Sequence, residues 1–358
     1  MKRRIISLLL CFVLLVLSVP PTVFAAGDDA SACYIATTEC PAAYVAYATE
    51  NISKFVSSLD GDLNYSSICV GTPFAFADIS ADVYYFPVVC DGHITYLFRV
   101  YPDGASFSAA ITAFLADEIE NLAKYTSADN PMYLNLVNTK IVATIGSRSY
   151  TLFEYPENMS VSNTDAARTS VITYSVVDAK ETSDIPVNLR QTRDVYEYIN
   201  LDLTEYQTNE SWCTAFCLAA IYRTQTNYDT NARDVMTRAI GNNPSIREAF
   251  PWPADFGITM RLVSRQFGLS PTVKITTVSN AVLIAEINAG RPCLVAMDRG
   301  AGQHSVVLRG YSSLGTWGIW NPWFEFYESY SISGSYVPTG YPASSFSYTP
   351  YMHAYNFG

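Results

Sequence analysis

The sequence contains few of the residues from which metal and cofactor sites are built. Histidine occurs three times in 358 residues, and there is no CxxC, HExxH or glycine-rich phosphate-binding motif. Zinc sites need clustered Cys and His ligands, and nucleotide sites need glycine-rich loops. We therefore expect no metal and no cofactor.

Positive charge is also scarce, with 22 Lys and Arg against 33 Asp and Glu and a formal net charge of −11. Nucleic-acid-binding proteins carry a basic face, so a nucleic-acid partner is not expected. The deficit lies in the first half, where residues 28–186 hold 7 basic and 20 acidic residues, against 12 and 13 in residues 187–358. This asymmetry indicates two different domains.

Long apolar runs are confined to the start of the chain. The basic MKRR precedes the apolar ISLLLCFVLLVL and the small-residue VFAA. This apolar run is short for a membrane span and is typical of a secretory signal peptide, which we predict at residues 1–26. We expect a secreted, extracellular protein with no membrane segment in its mature form.

The rest of the chain predicts an α+β fold in three parts. Residues 27–157 form a small α+β domain, with helices at 40–58 and 106–124 and antiparallel strands at 83–89, 93–101, 132–137, 141–145 and 149–155. Residues 158–186, rich in Ser, Thr, Asp and Ala, form a linker. Residues 187–358 contain helices at 213–223, 232–240, 258–267 and 280–289, then strands at 292–296, 304–311, 317–320, 325–330 and 348–355.

Cys213 begins the first helix of the last part, within QTNESWCTAFCLAA. The positive end of a helix lowers the pKa of a thiol, so this cysteine is a candidate nucleophile. Gln207, in the polar stretch before it, could stabilise an oxyanion together with the backbone N–H of Cys213. The structural alternative is a buried thiol or half of a disulfide.

His304 is the candidate base, because it begins the apolar strand GQHSVVLRGY after a glycine-bearing loop. Asn321, in IWNPW on the next strand, could hold the imidazole in one tautomer, and Trp323 could cover that hydrogen bond. His93 lies in a polar turn and His353 in an aromatic strand, where structural roles are expected, and His353 is the reserve candidate for the base. Gln, Cys, His and Asn in this order predict an acyl-transfer site.

The sequence QTNESWCTAFCLAAIYRTQTNYDTNARDVMTR, with GQHSVVLRGY and IWNPW, resembles the staphopain family of secreted bacterial papain-like cysteine proteases. The resemblance implies a papain-like fold with a helical lobe, an antiparallel β-barrel lobe and the site between them. It assigns Cys213 as nucleophile, His304 as general base, Asn321 as orienting residue and Gln207 to the oxyanion hole. Protein or peptide substrates and a hydrophobic substrate pocket are also implied.

Three neighbouring residues are expected to bind substrate or shield the site: Trp212, Gln303 and Trp323. Gln303 stands where a glycine is expected in close relatives, which adds bulk beside the base. The spacing from Cys213 to His304 is shorter than in large papain-like enzymes, which suits a compact bacterial enzyme.

The resemblance also implies that the chain is made as an inactive precursor, a monomer inhibited by its own N-terminal domain. The alternative is an accessory or surface-binding domain. Cleavage between the two parts would release the enzyme, and the basic residues available there are Arg168, Lys180, Arg190 and Arg193.

Six further cysteines remain after Cys11 of the signal peptide and Cys213 are set aside: Cys33, Cys40, Cys69, Cys90, Cys217 and Cys293. The first four allow three disulfide pairings, one of which joins Cys33 to Cys40 and Cys69 to Cys90. Cys217 and Cys293 are predicted to be buried thiols.

The sequence therefore predicts a secreted cysteine endopeptidase made as a zymogen. One alternative is a cell-wall peptide amidase on a related scaffold, which would cleave peptidoglycan fragments rather than casein. The other is a secreted surface protein whose catalytic residues are vestigial.

Overall fold

A computed structural model describes residues 31–56, 59, 67–76, 83–137, 140–154, 174–183, 196–208, 211–242, 256–298, 303–313, 315–331 and 349–358. The predicted signal peptide lies outside these ranges. From Ala32 onward the chain forms one compact unit. Within the described part, no helix is long and apolar enough to cross a membrane.

The described residues form six helices and seventeen strands. The helices are α1 (Ala42–Val56), α2 (Ala116–Ala123), α3 (Cys213–Gln225), α4 (Ala232–Asn242), α5 (Phe256–Gln266) and α6 (Asn280–Asn288). The strands up to residue 154 are β1 (Tyr34–Thr37), β2 (Ile68–Gly71), β3 (Tyr84–Cys90), β4 (His93–Asp103), β5 (Ser106–Thr112), β6 (Met132–Val137), β7 (Lys140–Ile145) and β8 (Arg148–Glu154). The later strands are β9 (Ser175–Asp178), β10 (Thr182–Ser183), β11 (Tyr196–Tyr198), β12 (Thr272–Lys274), β13 (Cys293–Asp298), β14 (Gln303–Ser312), β15 (Thr316–Trp320), β16 (Tyr327–Ser331) and β17 (Thr349–Tyr355).

The strands form two sheets, which are antiparallel except where β1 pairs with β6. The smaller sheet has the order β8-β7-β6-β1-β9. The larger has the order β10-β2-β3-β4-β5-β16-β15-β14-β13-β17-β12, with β11 pairing with β14. The predicted α+β class with mainly antiparallel sheet is confirmed.

The larger sheet runs through both halves of the chain, because β5 pairs with β16. In that pairing Ala110 lies opposite Tyr330 and Thr112 lies opposite Glu328. The N-terminal and C-terminal halves are therefore joined by backbone hydrogen bonds as well as by side-chain packing.

The predicted helix over 106–124 is wrong in its first part, where Ser106–Thr112 is strand β5. β5 lies between β4 and β16 and its last five residues are all buried, so its sequence SFSAAIT shows no alternation of apolar and polar residues. A short apolar run of this kind cannot be told from a buried helix by periodicity. The helix is confined to Ala116–Ala123.

The segment predicted as a linker contains ordered strand. Ser175–Asp178 pairs with β1, and Thr182–Ser183 pairs with β2. Residues 158–173 and 184–186 of that segment lie outside the described residues. The other predicted helices and strands are present with ends shifted by a few residues, and six strands of two to four residues were not predicted: β1, β2, β9, β10, β11 and β12.

Two cores hold the N-terminal half together. In one, α1 packs on one face of β2–β5, where the rings of Phe55 and Phe98 lie 5.1 Å apart. In the other, the opposite face of β3 and β4 packs against α2 and the smaller sheet. This second core also contains Trp323 and Phe324 from the C-terminal half.

In the C-terminal half, α3, α4 and α5 cover one face of the larger sheet and α6 packs on the opposite face. The helix α3 is the central element, since every residue from Thr214 to Arg223 is buried. Near the C-terminal end of α3, the buried guanidinium of Arg223 donates hydrogen bonds to the carbonyl oxygens of Asp202 and Thr230. It also donates to a carboxylate oxygen of Glu205 at 3.2 Å. These bonds offset the cost of burying the charge and fix the C-terminal end of α3.

Candidate active site

Cys213 is the first residue of α3, as predicted. The backbone N–H groups in the first turn of a helix have no partners within the helix, and they create a positive partial charge at its start. Trp212 precedes the helix, its carbonyl oxygen accepts the backbone N–H of Phe216 at 3.0 Å, and its partly buried ring packs against the core around α3. The structure thus places Trp212 beside Cys213, in contact with the core.

His304 and Asn321 form a direct hydrogen bond. The Nε2 atom of His304 lies 2.9 Å from Oδ1 of Asn321, and both residues are buried. The same Oδ1 atom accepts the backbone N–H of Trp323 at 3.1 Å. A backbone N–H can only donate, so the Asn321 atom that it contacts is the carbonyl oxygen rather than the amide nitrogen.

This assignment fixes the tautomer of the imidazole. Because Oδ1 of Asn321 only accepts, Nε2 of His304 carries the hydrogen. In the neutral ring, Nδ1 then carries the lone pair and can take up a proton. The hydrogen bond expected between Asn321 and His304 is present, and it fixes the orientation of the ring.

Trp323 covers this hydrogen bond. Its ring stacks on the imidazole of His304 with centroids 3.7 Å apart and an interplanar angle of 20°. Trp323 is itself 7% exposed. An apolar cover lowers the local polarity and strengthens the bond between His304 and Asn321.

The start of α3 lies against the start of β14, which brings Cys213 to the strand that carries His304. The hydroxyl oxygens of Thr214 and Ser305 lie 2.8 Å apart, and Cys217 Sγ donates to the carbonyl oxygen of Ser305 at 3.3 Å. The residues next to the predicted nucleophile and base are therefore in direct contact.

Burial raises the pKa of the Cys213 thiol above its ordinary value, although hydrogen bonds from Ser305 and Thr214 act in the opposite direction. The sequence predicts that the helix start lowers this pKa, and for the whole, uncleaved chain that prediction is wrong. Cys213 itself is only half-buried, but the protein packed around its sulfur disfavours the charge. Burial thus opposes the formation of the thiolate.

Gln207 is 5% exposed and lies at the same site. Its backbone N–H donates to the carbonyl oxygen of Pro322 at 2.6 Å, which fixes its loop on the turn between Asn321 and Trp323. Gln303, in contrast, is exposed at the start of β14, where it pairs with Asp298. The structure brings Gln207 to the cluster and leaves Gln303 at its edge.

The other two histidines lie elsewhere. His93 Nδ1 is 3.0 Å from a carboxylate oxygen of Glu120, and its side chain is 57% exposed. His353 is buried on β17, where burial lowers its pKa and its Nδ1 lies 3.4 Å from the carbonyl oxygen of Thr276. Neither is part of the cluster around His304.

Sequence reasoning missed an aromatic contact between the two halves. The ring of Phe114 lies 4.8 Å from that of Phe324 and 4.9 Å from that of Phe153, and Phe324 stacks on Phe326 at 5.0 Å. The sequence signal was FEF directly after IWNPW. The N-terminal half thus packs on the residue that follows Trp323.

The seven described cysteines are all free thiols. Cys33 and Cys40 flank β1, whose four extended residues span about 13 Å, too far for a disulfide. Cys217 and Cys293 are buried, and burial raises the pKa of both. Among the described residues, there is also no group of three His, Cys, Asp or Glu side chains that could hold a metal ion.

The site therefore consists of a thiol at a helix start, an imidazole with a defined tautomer, an amide that orients it and an indole that covers it. Comparison with models of protein families and with curated proteins finds no match to this chain.

Proposed function

We propose that this chain is a secreted cysteine endopeptidase made as a zymogen. The observation that carries the proposal is the buried 2.9 Å hydrogen bond from His304 Nε2 to Asn321 Oδ1 under the ring of Trp323. The next strand residue, Ser305, contacts Thr214, which follows Cys213. A nucleophilic cysteine needs a base that is held in one orientation. In this proposal His304 is the base, and Asn321 and Trp323 hold its ring.

The arrangement of elements supports a papain-like architecture. Cys213 lies at the start of α3, which belongs to the helical group α3–α5, whereas His304 lies on the facing sheet and Asn321 directly follows its strand β15. In this proposal the substrate binds where helices and sheet meet. Its peptide carbonyl lies against the start of α3.

The chemistry follows from these positions. Nδ1 of His304 takes the proton of Cys213, and the thiolate attacks the peptide carbonyl to form a C–S bond. The side-chain amide of Gln207 and the backbone N–H of Cys213 stabilise the oxyanion. The imidazolium then protonates the departing amine as the C–N bond breaks, and water hydrolyses the thioester to release the acid and restore the thiol.

Two features support a latent precursor. Burial raises the pKa of the Cys213 thiol, and the N-terminal half packs through Phe114 on Phe324, next to Trp323. We propose that the N-terminal half, residues 27–157, inhibits the enzyme and that cleavage between the halves activates it. The mature enzyme is proposed to act as a monomer on protein or peptide substrates.

Of the basic residues available for that cleavage, Lys180 is disfavoured. Its Nζ lies 2.6 Å from a carboxylate oxygen of Glu120 and its side chain is 8% exposed. A protease must extend the chain at the cleaved bond, which would break this ion pair. The remaining candidates are Arg168, Arg190 and Arg193, which lie outside the described residues.

Hydrolysis of casein by the purified chain, before and after limited proteolysis, tests the proposal. We expect casein hydrolysis that increases after cleavage and is absent in Cys213→Ala, while Cys293→Ala, which removes a buried thiol outside the site, stays active. Digestion of peptidoglycan fragments without casein would favour the amidase. No hydrolysis of either by the folded, cleaved chain would favour the vestigial surface protein.

A further inference from the structure

Thr214 and Ser305 form a buried pair of hydroxyl groups directly behind the candidate site. Their oxygens lie 2.8 Å apart, and the residues are 4% and 0% exposed. Thr214 follows Cys213 in α3, and Ser305 follows His304 in β14. The pair therefore joins the two elements that carry the nucleophile and the base.

Ser305 is held by α3 at a second point, since Cys217 Sγ donates to its carbonyl oxygen at 3.3 Å. Ser305 thus faces α3, and the imidazole of the preceding residue, His304, stacks on Trp323. The contacts at Ser305 set the distance between the start of α3 and the backbone of His304.

The hydrogens of the pair can be counted. Each hydroxyl has one hydrogen, and a single hydrogen serves the bond between the two oxygens. The second hydrogen is available to another acceptor, and hydrogen bonding by both residues acts to lower the pKa of the neighbouring Cys213 thiol. Apolar side chains of similar size would pack α3 on β14 equally well, but they would give the sulfur no donor.

We infer that Thr214 and Ser305 are positioning residues for Cys213. They fix α3 on β14 so that the thiol and the imidazole are aligned, and they direct one hydroxyl donor at the sulfur, which favours the thiolate. The inference rests on the proposed function, because it gives the pair a role in activating the nucleophile.

The test is the rate of alkylation of Cys213 by iodoacetamide as a function of pH, measured on the whole chain by peptide mass spectrometry. Thr214→Val and Ser305→Ala should each raise the pH midpoint by about one unit, which is a tenfold loss of thiolate below the midpoint. Thr214→Ser keeps the hydroxyl group and should have the same pH midpoint as the parent. Three titratable groups on the elements around the pair are kept in every variant: Cys217 of α3, His304 of β14 and Asp298 of β13.

Thr224→Val is the matched control. Thr224 lies on the same helix, about 16 Å from Cys213, and its hydroxyl donates to the carbonyl oxygen of Ala220. Its loss should lower the urea midpoint of unfolding and leave the alkylation midpoint unchanged. The inference is overturned if Thr214→Val and Ser305→Ala alter only the unfolding midpoint, as Thr224→Val does.

This test is separate from that of the proposed function, because iodoacetamide needs no peptide-binding site. A parent chain that is alkylated normally but hydrolyses no casein after cleavage between the halves would overturn the proposed endopeptidase. The shift of the alkylation midpoint would still decide whether the hydroxyl pair acts on the thiol. Ser305→Ala removes only one oxygen, so it provides the folded variant if Thr214→Val is unstable.

Discussion

Replacing Asn321 with alanine should both destabilise the protein and impair the base. Oδ1 of Asn321 accepts two hydrogen bonds, from Nε2 of His304 and from the backbone N–H of Trp323. Both donors belong to buried residues, so Asn321→Ala leaves two buried donors without this acceptor. Each such donor costs about 1 to 3 kcal/mol, which gives a loss of about 2 to 6 kcal/mol in the free energy of unfolding.

The loss can be measured as a melting temperature. For a chain of this size, 1 kcal/mol corresponds to about 2 °C, so Asn321→Ala should melt about 4 to 12 °C below the parent. It should also slow casein hydrolysis by about 100-fold or more, because His304 is no longer held in one tautomer. Differential scanning calorimetry and initial rates at 25 °C, on chains cleaved by the same protocol, give the two values.

Asn321→Asp is the control, since it keeps an accepting oxygen at the position of Oδ1. It should melt closer to the parent than Asn321→Ala does. A melting temperature of Asn321→Ala within about 1 °C of the parent would refute the energetic argument for the shared acceptor. Unchanged hydrolysis in the same variant would refute the role of Asn321 in orienting His304.

Three further predictions concern the N-terminal half as a cover of the site, the oxyanion hole and stability at low pH. Phe114→Ala should lower the free energy of unfolding by about 3 to 5 kcal/mol, measured in urea, and speed iodoacetamide alkylation of Cys213 in the whole chain, because it weakens the contact between the two halves. Gln207→Ala should lower kcat for casein by about 100- to 1000-fold with a smaller change in KM, since one oxyanion donor is lost. Burial opposes ionisation of Glu120, but hydrogen bonds from Lys180, His93 and the backbone N–H of Ile94 prevail and lower its pKa. Glu120→Gln should therefore be less stable than the parent above the unfolded pKa of Glu120, and the difference should disappear as the pH falls through the lower folded pKa.

Each of these has a control or a contrary result. Phe107 packs on α1 in a different core, so Phe107→Ala should destabilise the protein without changing the alkylation of Cys213. Equal alkylation in Phe114→Ala and the parent would contradict the proposed cover. A Gln207→Ala variant with unchanged kcat would remove Gln207 from the oxyanion hole. A pH-independent stability difference for Glu120→Gln would contradict the lowered pKa of that carboxyl group.

The elements best predicted from the sequence are those with a regular exposure pattern. The strand β6 was predicted with its observed bounds because MYLNLV alternates buried and partly exposed residues along its first five positions. The strand β5 was taken for helix because it is buried between two neighbours. Its pairing with β16 joins segments more than 200 residues apart, and no local pattern contains that information.

The candidate site likewise contains residues that the sequence predicts and residues that it does not. His304 and Asn321 could be predicted because each carries a chemical role that its residue type suggests. Thr214 and Ser305 have no such signature, and their contact exists only because α3 docks on β14. The raised pKa of the Cys213 thiol likewise depends on its burial in the folded chain, whereas the sequence indicated only the helix start.

The central claim is that Cys213 is a nucleophile activated by His304. The most direct measurement is covalent labelling of the cleaved protein by a peptidyl epoxide, with the modified residue located by peptide mass spectrometry. The account predicts labelling at Cys213 alone, with the rate strongly reduced in His304→Ala and in Asn321→Ala. Labelling that is absent from a folded, cleaved protein, or that proceeds equally fast in His304→Ala, would contradict it.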